Sequence, residues 1–111
     1  MITVEQFYRV CNRLGFKVFK DEPYEDFYYC YYENNKDKAG NSMARLVDFG
    51  IGNETEVTVF KPEWYSFLAP STYSTDKNYS DIKEFEKDLM DSYFTLRKYW
   101  FKYNMREHSA I

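Results

Sequence analysis

The chain holds little of what catalysis and metal binding usually draw on. Of its 111 residues one is a histidine, His108, close to the C-terminus. A general base must be held within hydrogen-bond reach of its nucleophile, and the fraying end of a chain does that poorly. Cysteine is as scarce: Cys11 and Cys30 are the two present, and with one histidine they form no metal-ligand spacing. They are too few for a disulfide scaffold and read as small buried hydrophobes. No metal and no cofactor is expected. The four glycines, Gly15, Gly40, Gly50 and Gly52, build no phosphate-cradling loop, because Gly50-x-Gly52 lacks a third glycine and a following long helix. The carboxylate pairs Asp21/Glu22 and Glu25/Asp26 have acid–base chemistry in principle, but acids beside a turn read as a solvated rim. These absences argue against an enzyme.

Long hydrophobic runs are absent too. The longest is Phe27-Tyr28-Tyr29-Cys30-Tyr31-Tyr32, far short of the roughly 20 residues a membrane helix requires. The opening Met1-Ile2-Thr3-Val4-Glu5 has neither the basic nor the apolar part of a secretory signal. A cytoplasmic location is therefore expected, in a bacterium or a phage-infected host cell, with no membrane contact. On that expectation the triplets Asn53-Glu54-Thr55 and Asn78-Tyr79-Ser80 are chance matches to a glycosylation acceptor.

Aromatic side chains, by contrast, are abundant. Twelve Tyr, ten Phe and two Trp make 22% of the chain, more than a small core needs, against a net charge of −3. With 44% apolar residues the chain can build a core, which excludes wholesale disorder, and its length suits one domain over residues 1–111. Tyr, Phe, Lys and Asn have AT-rich codons, and their abundance points to a low-GC bacterium or one of its phages.

The spacing predicts a helix over residues 4–14. Thr3 and Gln6 form a capping box, Ile2 and Phe7 a hydrophobic staple, and Val4, Phe7, Cys11 and Leu14 one apolar stripe. Gly15 ends it and Phe16 folds back on Cys11 as in a Schellman motif. Four strands follow, over 16–20, 26–33, 43–49 and 55–60, with a polar loop over 34–42 and a Gly-rich turn over 50–53. Their short connections favour an antiparallel meander. Pro62 suits the first position of a short helical turn running to Leu68, and residues 71–78 read as a polar loop.

The last element is a long helix over 82–105, opened by Asp81 with Glu84. Acids crowd its first half, and Arg97, Lys98, Lys102 and Arg106 its second, which suits the helix dipole. Ile82, Phe85, Leu89, Tyr93, Leu96, Trp100 and Tyr103 form the core-facing stripe. A second stripe, Met90, Phe94, Phe101 and Met105, lies off that face. It is either wrapped by Trp64 and Phe67 or an interface for self-association or another protein. The expected fold is α+β: an N-terminal helix, a four-stranded antiparallel meander, an irregular segment and a long C-terminal helix packed on the sheet.

Residues 21–33 carry Asp21, Glu22, Glu25, Asp26 and Glu33 around six aromatic rings, with no base. Alternation sends Phe27, Tyr29 and Tyr31 to one face and Tyr28, Cys30 and Tyr32 to the other. Burial of Cys30 puts the odd-numbered rings outward. An acidic, Tyr-rich face suits a protein partner with a basic surface, where carboxylates stand in for phosphates. The expected function is a small, acidic, non-enzymatic protein-binding domain: a phage- or mobile-element-encoded inhibitor that occupies a basic site on a host nucleic-acid-handling protein, in the manner of anti-CRISPR proteins. The partner-binding set is Asp21, Glu22, Glu25, Asp26, Phe27, Tyr29, Tyr31 and Glu33; the self-association set, for a homodimer, is Met90, Phe94, Phe101 and Met105. The alternatives are a domain that stacks single-stranded nucleic acid on exposed Tyr, and a structural subunit of a larger assembly. The acids flanking the aromatic strand disfavour the first of these, since stacking also needs a basic groove.

Overall fold

Helix α1 (Val4–Arg13) starts and stops where its sequence signals lie. The Thr3 hydroxyl accepts the Gln6 N–H at 3.2 Å, and the Gln6 side chain accepts the Thr3 N–H at 2.9 Å. At the other end Gly15 takes φ +83°, its N–H donating to Asn12 O at 3.0 Å and that of Phe16 to Cys11 O at 2.8 Å. These two bonds make a Schellman motif, and they turn Phe16 back into the core. The structure, a computed structural model, describes residues 2–20, 27–32, 45–50, 56–65, 69–75 and 77–109.

β1 (Phe19–Lys20), β2 (Phe27–Tyr31), β3 (Arg45–Gly50) and β4 (Glu56–Val59) form one antiparallel sheet in the order β1-β2-β3-β4, the expected meander. The first strand is shorter than the predicted 16–20, because the Schellman turn uses Phe16 for the core. Between Cys30 and Tyr31 the register with β3 slips by one residue: Cys30 faces Val47 while Tyr31 faces Arg45. The bulge lets the adjacent Leu46 and Val47 both be buried. The loop predicted over 34–42 and the turn at 51–53 lie outside the described residues.

Two expectations are corrected. Pro62 does not open a helical turn; it sits in β5 (Lys61–Glu63), paired antiparallel with β6 (Ser71–Tyr73) from the segment read as a polar loop. A proline has no N–H to give a ladder, but in a two-stranded ribbon that position can face away from the partner. The ribbon is pinned from outside itself: Thr72 Oγ1 donates to Arg45 O at 2.7 Å, and Thr75 Oγ1 to Val59 O at 3.2 Å.

α2 (Ile82–Ser109) packs on β3, β4 and β5 and runs four residues beyond the predicted end, so His108 lies in its last turns. Asp81 caps it, its carboxylate accepting the Lys83 N–H at 2.9 Å. Glu84 pairs with Lys77 at 2.6 Å. The core stripe is where the spacing puts it: Phe85, Leu89, Leu96 and Trp100 are buried, with Ile82, Tyr93 and Tyr103 packed against the core. Phe7 of α1 ties the layers together, stacked on Phe49 of β3 at 4.8 Å and edge-on to Phe85 of α2 at 6.2 Å. Burying one such ring contributes about 1.5–3 kcal/mol. An ion pair between Arg13 and Glu86 joins the two helices at the surface. Both helices cover the sheet face that carries Cys30, Val47, Phe49, Val57 and Val59, which makes the architecture α+β. Among the described residues no helix is long and apolar enough to cross a membrane.

Candidate interaction surfaces

The sheet has a second face, and its register assembles a cluster there. Phe19 stands opposite Tyr29 and Tyr29 opposite Asp48, while Tyr31 stands opposite Arg45. The Phe19 and Tyr29 rings stack at 5.5 Å, and Tyr29 meets Tyr31 edge-on at 5.1 Å. The Arg45 guanidinium lies 4.7 Å from the Tyr29 ring centre and 5.5 Å from that of Tyr31. It donates to the Tyr31 hydroxyl at 3.3 Å and to Asp48 at 3.2 Å, while Lys17 sits 5.1 Å over Phe19. The odd-numbered rings therefore point away from the helices and Cys30 into the core, as parity requires, but the rings are half-buried by one another.

Burial raises the Asp48 carboxyl above its ordinary value, and the charge and hydrogen bond of Arg45 only partly offset it. For Arg45, burial works to lower the pKa, but its bonds to Tyr31 and Asp48 outweigh that and hold it raised. The cation is permanent; the acid beside it is the softer partner.

Of the predicted partner-binding set, the structure brings Tyr29 and Tyr31 together and sets Phe27 opposite Gly50 on the same face. Asp21, Glu22, Glu25, Asp26 and Glu33 lie outside the described residues. Sequence reasoning missed Arg45, Lys17 and Phe19 as members of this cluster. Arg45 sits fourteen positions from Tyr31 and only the bulged register makes them neighbours. Phe19 was readable, since a strand beside β2 must offer it cross-strand pairs.

The second stripe on α2 is mostly uncovered. Phe94 is 46% exposed, Phe101 68% and Met105 57%, while Met90 is half-buried. Trp64 does not wrap this stripe: its ring lies 5.9 Å from Tyr99, with Lys102 4.5 Å above it. Phe67 lies outside the described residues. The stripe occupies an arc of about 60° on a 3.6-residue helix, roughly a third of a turn from the core stripe. A shallow hollow of about 290 Å³ opens at its N-terminal end, lined by Lys83, Glu86, Lys87, Met90, Asp91 and Phe94.

A third feature, a cavity of about 270 Å³, lies between α2 and the β5–β6 ribbon, with Tyr79, Asp88, Asp91 and Ser92 in its wall. Two of these polar groups, Tyr79 and Asp88, hold the entry to α2. The Tyr79 hydroxyl donates to Asp88 at 2.7 Å, and Lys77 reaches Asp88 at 3.1 Å. Burial and the bond to Asp88 push the Tyr79 hydroxyl far above the ordinary tyrosine range. Asp88 is pulled upward by burial, but the bonds from Tyr79 and Lys77 outweigh this and leave it below the usual carboxylate value. This is a clamp between loop and helix. Neither thiol takes part in a surface, since Cys11 and Cys30 are both buried. No family model, no curated protein and no solved structure matches the chain.

Proposed function

We propose that the chain is a small, non-enzymatic protein-binding domain whose contact surface is the apolar stripe of α2, with the Tyr-rich strand β2 and its acidic flanks as a second contact. One observation carries this reading: Phe94, Phe101 and Met105 stand in solvent on one helix face while the core is closed without them. Large apolar side chains left in solvent along one helix face are what association buries. In its fuller form the domain is a phage- or mobile-element-encoded cytoplasmic inhibitor, anti-CRISPR-like, in which Asp21, Glu22, Glu25, Asp26 and Glu33 take the place of phosphates at a basic site on a nucleic-acid-handling protein. The net charge of −3 and the absence of any base over residues 21–33 support that form.

A second reading, stacking of single-stranded nucleic acid, gains support from Arg45 and Lys17 lying among Phe19, Tyr29 and Tyr31. It supplies the cations that the sequence of β2 lacks. It is the weaker reading, because Arg45 already covers the Tyr29 and Tyr31 rings that bases would use.

The test is affinity capture from a low-GC bacterial lysate with the native chain, with Phe94→Asp plus Phe101→Asp, and with Glu25→Lys plus Asp26→Lys. Expected is a nucleic-acid-handling protein held by the native chain, lost with the first variant and weakened with the second and with salt. Equal capture by all three chains removes the proposal. A fluorescent oligonucleotide bound by the native chain and released by Tyr29→Ala with Tyr31→Ala would put the second reading in its place.

A further inference from the structure

We propose that the occupant of the α2 stripe is an acidic amphipathic helix of the partner, packed along the seam from Met90 to Met105; this rests on the reading of that stripe as an interface. The charges around the stripe are the first ground. Lys83, Lys87, Arg97 and Lys98 are all exposed, and none is ion-paired to a described residue. At ~100° per residue they fall within the arc of the apolar side chains or about 20° beyond it. Of the acids beside them, Glu86 is paired with Arg13, and Asp88, which also feels Lys87, is held by Lys77 and Tyr79, which leaves Asp91. A chain of net charge −3 thus presents its apolar ridge inside a cationic rim. A like-charged surface would be repelled and a carboxylate-rimmed one drawn in.

The shape of the stripe is the second ground. Its spacings of 4, 7 and 4 keep the four apolar residues in one nearly straight ridge along the 3.6-residue helix, and the two-turn gap at its middle holds Arg97 and Lys98. Those two cations at the middle of the seam require carboxylates opposite them. The seam is about 22 Å long, the rise of fifteen helical residues. Its arc of about 60° is narrower than the ~100° apolar face of an ordinary amphipathic helix and matches the narrower seam of paired helices. Pairing of two copies through this face would oppose Arg97 and Lys98 with their own kind.

The experiment uses the intact chain and a displayed amphipathic helix long enough to span the seam, with Leu fixed at its apolar positions and Glu, Gln or Lys allowed at the flanks. Expected is enrichment of Glu. The selected peptide should lose at least about tenfold in affinity on Arg97→Glu with Lys98→Glu, with the loss shrinking at high salt. It should lose as much on Phe94→Asp with Phe101→Asp, each variant keeping the native melting curve. Enrichment of Gln or Lys, or indifference to Arg97 and Lys98 while the Phe substitutions still abolish binding, overturns the acidic partner but leaves the stripe an interface. No enrichment, or binding that survives the Phe substitutions, overturns both. Sedimentation as a dimer dispersed by the Phe substitutions makes the occupant a second copy, and flotation with phosphatidylcholine–phosphatidylserine vesicles makes it a lipid surface; either result overturns the proposal.

Discussion

Two carboxylates, Asp48 and Asp88, each sit within 3.2 Å of a cation, yet burial moves one and hydrogen bonding the other. In Asp48 burial wins and the native state holds the proton more tightly than the unfolded chain does. That group favours the fold at low pH, and its advantage fades as pH rises from its ordinary value of 3.8 through the raised native one. In Asp88 the bonds from Tyr79 and Lys77 win, so its contribution is present above pH 3.8 and is lost as pH falls through the lowered native value. Denaturant unfolding followed from pH 7 to pH 3 should therefore show Asp88→Asn with a flatter acid limb than the native chain, and Asp48→Asn with a steeper one. Tyr79→Phe should cost about 0.5–1.5 kcal/mol, the worth of one hydrogen bond, and bring Asp88 back toward its ordinary value. None of this was legible from residue types, because Asp88 reads in sequence as one more acid in the first half of a helix. Its partners come from a loop eleven and nine positions earlier, which only the fold brings beside it.

Elements whose signals are local were read correctly, as was the four-stranded meander, but the β5–β6 ribbon was not. α1 carries its own punctuation, with Thr3 and Gln6 specifying its start and Gly15 its end. Gly15 holds φ +83° and a Cβ built there would meet nothing within 4 Å, so its role is conformational and not steric. Gly15→Ala should then cost about 1 kcal/mol, the left-handed penalty for a residue with a side chain, without changing contacts. Thermal unfolding should register this as a drop of about 4–8 °C. The β5–β6 ribbon was missed because Pro62 and the Ser–Thr segment each favour a turn when taken alone. Their pairing is secured by Thr72 reaching Arg45 O and Thr75 reaching Val59 O, bonds to strands β3 and β4 outside the ribbon. Thr72→Val keeps the β-branched shape and removes the donor, and should loosen the ribbon with faster amide exchange at Lys61 and Tyr73 while β2 and β3 stay protected.

For the molecule as a whole, the decisive contrast is between two apolar stripes on one helix. Their spacing was legible in the sequence, and so was the angle between them, but not which would be covered, since that depends on where β3, β4 and β5 pass. The structure places the sheet against Phe85, Leu89 and Leu96, each with no exposed surface, and leaves Phe94 and Phe101 outside. Substitution should separate the two stripes sharply. Phe85→Ala should cost about 3–5 kcal/mol, because it opens a cavity in the core where Phe7 and Tyr79 pack edge-on against the ring. Phe94→Asp and Phe101→Asp should each stay within about 0.5 kcal/mol of the native chain, because neither ring leaves water on folding to the degree a core ring does. The same pair should raise the solubility limit, since an exposed apolar patch drives weak association even without a specific partner. Calorimetry and a solubility titration on the three variants measure both effects together. A large destabilisation from Phe94→Asp would mean that the ring is covered within the monomer, and the stripe would then belong to the core instead of to an interface.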